Sequence, residues 1–288
     1  MPVLNDKEFN TVNMKRFLSL SATVIIISGL ILNPSCRSKS SQEARKANQK
    51  EIAQVETLKQ EIEKNVYPLP TSADVIKMLT DLEVGYIVGI SNPAANAKKY
   101  ATSAAKAVNL GIYGADLSYA TLYNMQQHVT DYLDAIRVLA TDLNMGRIYN
   151  AALYDSIKVH FDDRSILVKL LTDAFNDTYK YLSENDQQTL ALLVVGGAWV
   201  EGMYLTTHVS ETAYNVAGIS GVLLDQKKSF DLFLDITKPY MSDPMISDFL
   251  KVLEPVRKVY EGLSTSLTEQ NIKDITAAMN IVREKLIQ

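Results

Sequence analysis

The most apolar part of the body of this chain is the stretch Leu190-Ala-Leu-Leu-Val-Val-Gly-Gly-Ala-Trp-Val-Glu-Gly-Met-Tyr-Leu205. It is shorter than the ~20 residues that a membrane-spanning helix needs, and it contains a carboxylate, Glu201. We therefore interpret it as a buried central helix. Its glycines, Gly196, Gly197 and Gly202, each cost ~1 kcal/mol relative to alanine in a helix. A helix that keeps all three is expected to need the close approach of a neighbouring backbone.

Helical periodicity continues on both sides of this stretch, and no segment shows the sustained two-residue alternation that a half-buried strand needs. Proline is nearly absent between Ala94 and Lys238, which permits long helices. The sequence therefore predicts an all-α fold, either a multi-helix bundle or a short array of antiparallel helical hairpins. The predicted helices span about 72–90, 94–125, 128–144, 148–161, 164–184, 187–209, 211–223, 227–240, 243–263 and 267–287.

Capping motifs support several of these helix starts. In each, a short polar residue can accept a hydrogen bond from the first turn, and a proline or an acidic residue follows at a helix-starting position. They are Thr71 with Asp74, Asp243 with Pro244, and Ser266 with Glu269.

The N-terminus resembles a lipoprotein export signal. Met14-Lys15-Arg16 leads into a sixteen-residue apolar run, which is followed by Asn33-Pro34-Ser35-Cys36. We predict that residues 1–35 are a signal peptide with Met14 as the true start, and that lipid on Cys36 anchors the mature chain to a membrane. An uncleaved signal anchor is the alternative.

The chain after Cys36 is predicted to have two parts. Residues 36–66 are polar, with Ile52, Val55, Leu58 and Ile62 at helical spacing, and are predicted to form a helical stalk. Residues 67–288 are predicted to form one α-helical domain. The residues after Cys36 lack the acidic run that commonly sends such lipoproteins to the cell surface, so an outer-membrane lipoprotein that faces the periplasm is expected.

Composition excludes several classes of site. The chain has 288 residues, a formal net charge of −4 and one cysteine. A mildly acidic body offers no electrostatic attraction to phosphate backbones, so no nucleic-acid partner is expected. A single cysteine excludes an internal disulfide, a CxxC redox pair and a cysteine-rich zinc site.

An internal repeat is indicated when the chain is shifted by 85 residues. The shift suggests two related helical units, at about 94–184 and 187–263, in a pseudo-symmetric arrangement. It places Gly111 on Gly196, Asp116 on Glu201, Tyr119 on Tyr204, Tyr123 on His208 and Gln126 on Glu211.

These paired positions recur at three- and four-residue spacing, so each set forms a polar stripe on one face of an apolar helix. A buried carboxylate must be paired, hydrogen-bonded or protonated. One interpretation is therefore a structural network that fixes helix register. Another is a ligand pocket lined by Asp116, Tyr119, Tyr123, Glu201 and Tyr204. A third is a divalent metal held by His208, Glu211 and Glu201, since histidine and glutamate one turn apart can share a metal.

Three blocks of sequence resemble an uncharacterised all-helical lipoprotein family of Bacteroidetes-type bacteria. They are Leu110–Tyr119, Phe175–Leu182 and Gly196–Leu205, and the resemblance covers about residues 70–285. It implies an envelope location and an all-helical fold, and it implies no activity.

No GxSxG, HExxH, Walker or dinucleotide-binding motif occurs, so no catalytic residue is assigned and no cofactor is expected. The leading hypothesis is an envelope-anchored module that binds or scaffolds a small ligand or an envelope protein, with the membrane contacted through lipid on Cys36. The alternatives are a metal-dependent enzyme that uses the His208 face and a structural envelope spacer.

Overall fold

A computed structural model describes residues 85–212, 219–263 and 266–288. The predicted signal peptide at 1–35, the lipidation site Cys36, the stalk at 36–66 and the Thr71 cap lie outside these residues, and so does most of the helix predicted at 72–90.

The all-α prediction is confirmed, because every regular element in the described ranges is a helix. Short 3-10 helices form at Ala94–Lys99 and Lys238–Tyr240. The α-helices are α1 (Ser103–Leu122), α2 (Gln126–Asp142), α3 (Ala151–Val159), α4 (Arg164–Glu184), α5 (Gln188–Thr212), α6 (Ile219–Thr237), α7 (Pro244–Val252), α8 (Glu254–Glu261) and α9 (Glu269–Ile287).

Two predicted helices are interrupted. The helix predicted at 94–125 is broken where the chain becomes extended at Thr102, whose side chain accepts a hydrogen bond from the N–H of Ala105 at 3.1 Å and starts α1. The helix predicted at 243–263 divides at Leu253, since Pro255 has no N–H for the helical ladder and lies in the first turn of α8.

Two other predictions on helix ends are wrong. The predicted break between 223 and 227 does not occur, because α6 is continuous from Ile219 to Thr237. Residues 85–90 were predicted to be helical, but they form an extended segment with a turn at Gly89, whose φ is 81°. A positive φ is readily adopted by glycine and ends a helix.

Three helices end in the same way. Asn124, Asn144 and Asp186 follow α1, α2 and α4 with positive φ, between 53° and 62°. In each case the next N–H returns to a carbonyl five residues back, as in Met125 to Ala120 at 2.9 Å. This left-handed cap satisfies carbonyls that the helix itself leaves unpaired.

Of the two N-caps predicted in the C-terminal part of the chain, one is confirmed and the other is wrong. Asp243 caps α7 as predicted, since its side chain accepts from the N–H of Met245 and Pro244 follows at the first helical position. The box predicted at Ser266 is wrong. The N-cap of α9 is Thr268, which exchanges hydrogen bonds with Asn271.

Helices α1 and α5 make the most extensive contact in the described part of the chain. A Cβ at Gly111 would lie 2.0 Å from the carbonyl oxygen of Val194, and one at Gly197 would lie 2.0 Å from the carbonyl oxygen of Val108. The expected close approach of backbones is therefore real. In the structure, Gly111 and Gly197 are the glycines at which α1 and α5 approach each other. The 85-residue shift pairs Gly111 with Gly196 instead, but Gly196 faces the rings of Phe249 and Phe233.

Helix α5 is the central helix. Residues Gln188–His208 are long and apolar enough to cross a membrane, with a mean hydropathy of 1.4, but 78% of the most apolar window is buried within the protein. Helices α1, α4, α6, α7 and α9 contact it. Its Trp199 stacks on Phe230 of α6 at 4.8 Å between ring centroids. These contacts are those of a core helix, as the sequence predicted.

Candidate functional site

The extended segment before the first 3-10 helix, residues 86–93, lies along the polar stripes, and we call it the strap. Side chains of two helices hold its backbone. From α1, Tyr119 Oη accepts from the N–H of Ile87 at 3.0 Å, and Asp116 Oδ2 accepts from the N–H of Asn92 at 3.1 Å. Tyr113, also on α1, donates to the carbonyl of Pro93 at 2.8 Å. From α9, Arg283 donates to the carbonyl of Ile90 at 3.0 Å.

Asp116 and Glu201 meet between α1 and α5. Both side chains have no exposed area, and their carboxyl groups lie within hydrogen-bonding reach of each other. Because Gly197 lies against Val108 and Glu201 lies beside Asp116, α1 and α5 run in the same direction. The two polar stripes therefore face each other.

Arg283 of α9 completes the cluster. Its Nε and Nη2 donate to Oε2 and Oε1 of Glu201, each at 2.9 Å, and its side chain is buried. The guanidinium also lies over the ring of Tyr204, 4.2 Å from the centroid. We call Asp116, Glu201 and Arg283 the carboxylate cluster. Such a planar, two-point pairing is the usual partner of a buried carboxylate.

The electrostatics of the cluster favour the protonated form of Asp116. Burial, followed by repulsion from Glu201, raises the pKa of Asp116 well above its ordinary range, against the opposing attraction of Arg283. Burial works to lower the pKa of Arg283, but the charge and hydrogen bonds of Glu201 outweigh it and raise that pKa. The pair with Glu201 therefore favours the charged form of Arg283, and burial favours the protonated form of Asp116.

Two buried asparagines extend the network. Asn92 of the strap donates from Nδ2 to Tyr100 Oη at 2.9 Å and to Asn109 Oδ1 at 3.3 Å. Asn109 of α1 donates to the carbonyl of Leu286 at 2.9 Å. Neither asparagine has exposed area. The strap, α1 and the end of α9 are thus joined by hydrogen bonds that only this arrangement of the chain can satisfy.

Aromatic side chains cover the other end of the strap. The ring of Tyr86 stacks on Tyr119 at 5.0 Å and lies 5.7 Å from Tyr123 and 5.4 Å from His128. Burial raises the pKa of Tyr119 to about 12, although the hydrogen bond from Ile87 acts in the opposite direction. These tyrosines are neutral packing and hydrogen-bonding groups at physiological pH.

Of the candidate metal ligands His208, Glu201 and Glu211, the two whose side chains the structure describes have other contacts. His208 is half-buried, its Nδ1 lies 2.7 Å from the carbonyl oxygen of Tyr204, and its ring packs on the ring of that tyrosine. Both oxygens of Glu201 are bound to Arg283. The side chain of Glu211 lies outside the described residues. Within the described residues, no group of three histidine, cysteine, aspartate or glutamate side chains has metal-binding geometry.

The structure therefore brings Asp116, Tyr119, Glu201 and Tyr204 into one network with the strap, and it places Tyr123 in the aromatic group beside it. Arg283 was missed in the sequence. A signal existed, since Arg283 follows Val282, Met279 and Ile275 on the apolar face of α9. A charged residue on an apolar face predicts a buried partner.

A surface groove lies between α6 on one side and α7 with α8 on the other. Its volume is about 590 Å³. Its apolar residues include Leu234, Leu250 and Leu253, and at its edge Met241 is 57% exposed. Its rim carries both signs of charge. We call it the α6–α8 groove.

Comparison with known proteins gave no match: no family model, no curated protein and no solved structure matched the chain.

Proposed function

We propose that this protein is a lipid-anchored helical scaffold of the bacterial envelope, tethered through Cys36, whose body binds a protein partner on its outer surface. The observation that carries this proposal is that the polar stripes contact other groups of the same chain. Asp116 and Glu201 have no exposed area, and their oxygens face Arg283, the strap and each other. A stripe engaged in this way supports the fold, and it favours recognition at the surface over recognition in the interior.

The α6–α8 groove supports the choice of a protein partner. It combines an apolar floor with a charged rim, which is the pattern that accepts the apolar face of an amphipathic helix. Exposed Met241 adds a flexible apolar side chain at the edge, a residue type that adapts to the surface of a partner.

The charges on the rim indicate which kind of partner surface the groove can accept. Lys238 pairs with Asp235 at 2.6 Å, Lys251 pairs with Asp248 at 2.8 Å, and Arg257 pairs with Glu261 at 2.9 Å. Each cation thus has an anion on its own surface, and the rim is close to neutral. A neutral rim with an apolar floor fits a partner helix with an apolar face and flanks of mixed charge, and it does not favour a polyanion.

The groove is tested by a charge placed on its edge. We expect Met241→Glu to leave the fold intact and to remove a cross-linked complex larger than the chain itself from envelopes of the native cell. Val159→Glu is the matched control, because Val159 is 77% exposed on α3. The proposal is sustained if the complex is lost only with Met241→Glu. It fails if both variants keep the complex or if wild type forms none.

The anchor is tested separately. Cys36→Ser is expected to abolish incorporation of labelled fatty acid and to move the protein from the membrane to the soluble fraction of the envelope. Persistence in the membrane without label would instead support an uncleaved signal anchor.

Metal analysis distinguishes the enzyme alternative. A soluble form that begins after Cys36, purified without chelators, is compared with its His208→Ala and Glu201→Gln variants. Near-stoichiometric metal that both variants lose would replace the scaffold proposal by a metal-dependent activity on the His208 face. Absence of metal from wild type would remove that alternative.

A further inference from the structure

The strap is the non-helical element that covers the carboxylate cluster. Ile90, Ser91 and Asn92 are buried, and the strap touches the cluster through the N–H of Asn92 and the carbonyl of Ile90. The other sides of the cluster are formed by α1, α5 and α9, whose backbones are held by their own helical hydrogen bonds. The strap has no such internal ladder, so it is the part of this wall that separates at the lowest free energy.

The cluster contains one more acid than base. Two carboxyl groups, Asp116 and Glu201, share one cation, Arg283. With both carboxylates ionised, a site without exposed area would hold an uncompensated negative charge, which is strongly unfavourable. One proton on Asp116 removes this charge.

An unpartnered atom supports a proton on Asp116. Asp116 Oδ1 is buried and receives no hydrogen bond from the described part of the chain. A proton on this oxygen turns it into a donor towards Glu201 and satisfies it. Oδ2 remains free to accept the N–H of Asn92, as observed.

The groups that face Asp116 from each neighbouring element allow no second cation. Within the described residues, the titratable groups that interact with Asp116 are, apart from Arg283, acids or tyrosines, and the histidines His128 and His208 contact the rings of Tyr86 and Tyr204 instead. These acids and tyrosines are Glu201 and Tyr204 on α5, Tyr113 on α1, Tyr132 on α2 and Tyr86 on the strap.

We propose that the strap is a pH-sensitive latch, which stays closed while Asp116 is protonated and opens when Asp116 is ionised. Opening of the strap lets water hydrate the ionised carboxylate of Asp116 without unwinding a helix. The N–H of Asn92 and the side chain of Ser91 both favour the ionised form of Asp116, but these neutral donors cannot replace the hydration that a carboxylate loses on burial. The raised pKa of Asp116 agrees with this direction.

The latch is tested by hydrogen exchange on the full chain, corrected for the intrinsic pH dependence of exchange. The reporters are the amides of Ile87 and Asn92, which the closed strap donates to Tyr119 and Asp116. Their protection is expected to fall by up to tenfold for each pH unit between the ordinary pKa of an aspartate, ~3.9, which Asp116 regains when the strap opens, and its raised pKa in the closed state, as one linked proton requires. Amides in the middle of α4 serve as the reference and should keep their protection.

Asp116→Asn removes the ionisation and keeps an oxygen for Asn92 and a donor for Glu201. In this variant, protection of the strap should not depend on pH. Asp173→Asn is the matched control, because Asp173 is an exposed aspartate of α4 paired with Lys169, and it should behave as wild type.

Carbon-13 titration of the Asp116 carboxyl in wild type provides the second measurement, and it decides the question even if Asp116→Asn does not fold. A midpoint well above ~3.9, the ordinary value for aspartate, with loss of strap protection at the same pH, sustains the latch. A midpoint near the ordinary value, or protection that persists through the titration, overturns it.

Discussion

Each oxygen of Glu201 accepts a hydrogen bond from Arg283, at 2.9 Å, inside a site from which solvent is excluded. Replacing Arg283 by methionine keeps much of the side-chain volume but leaves two buried carboxyl groups without a cation. Removing one partner of a buried ion pair typically destabilises a protein by about 3–5 kcal/mol. We expect Arg283→Met to lower the free energy of unfolding by an amount in this range, as measured by urea denaturation.

The control for this substitution is Arg257→Met. Arg257 pairs with Glu261 at 2.9 Å on an exposed face of α8, where water screens the charges. We expect the urea unfolding midpoint of the Arg257→Met variant to match that of wild type. An Arg283→Met protein as stable as the control would show that the carboxylate cluster does not depend on Arg283.

The glycines of α1 differ in what a methyl group would meet. A Cβ at Gly111 would lie 2.0 Å from a backbone oxygen of α5, whereas one at Gly114 would meet nothing closer than a ring carbon of Phe175 at 3.8 Å. Backbone atoms cannot rotate out of the way. We therefore expect Gly111→Ala to lower the unfolding free energy by at least ~1–3 kcal/mol, the usual effect of overpacking.

Gly114→Ala is the matched substitution in the same helix, and it should gain up to ~1 kcal/mol from the better helix propensity of alanine. Thermal unfolding of the two variants gives opposite shifts if the α1–α5 contact controls the effect. Equal shifts in melting temperature would mean that α1 and α5 can move apart without loss of stability.

The start of α9 depends on a reciprocal cap. Thr268 Oγ1 accepts from the N–H of Asn271 at 3.2 Å, and Asn271 Oδ1 accepts from the N–H of Thr268 at 2.9 Å. Substituting such an N-cap by alanine typically costs ~1 kcal/mol. We expect Thr268→Ala to reduce stability by about this amount, measured by urea denaturation, because α9 carries Arg283 and packs on α5.

Thr141→Ala provides the comparison for this cap, since Thr141 is an exposed residue inside α2. Alanine has the higher helix propensity there, so this variant should be as stable as wild type or slightly more stable. Similar losses in the two variants would contradict a specific capping role for Thr268.

The carboxylate cluster also predicts how global stability depends on pH. Folding raises the pKa of Asp116 above its unfolded value, so the folded chain binds this proton more tightly. The resulting stability is fully present below the unfolded pKa, ~3.9, and is lost as pH rises through the raised folded-state pKa. The unfolding free energy of wild type, minus that of Asp116→Asn, should therefore fall as pH rises. A difference that is constant with pH, or that rises, would contradict this assignment.

Several features were predictable because their causes are local in the chain. The all-helical class followed from periodicity and from the scarcity of proline, and the Asp243 cap of α7 followed from two adjacent residues. The central position of α5 followed from its composition, and the polar stripes followed from helical spacing. Each of these properties is set by residues within a few turns of one another.

Other features were not predictable because they join residues far apart in the chain. Arg283 reaches Glu201 across 82 positions and Ile90 across 193. Arg283 lies on the apolar face of α9, and periodicity could have shown that position but not its partner. Residues 86–90 of the strap were predicted as helix, since the tertiary hydrogen bonds of the strap with α1 and α9 leave no pattern in its own sequence.

Short-range information in the chain was thus enough to establish an all-helical body, a buried central helix and two polar stripes. The packing of distant segments settled whether those stripes open into a pocket or close into a network. At Asp116 and Glu201 they form a network, because the strap donates to Asp116 and Arg283 donates to Glu201. The free energy of burying a carboxylate depends on which groups it contacts, and the periodicity of one helix does not show which distant residues those are.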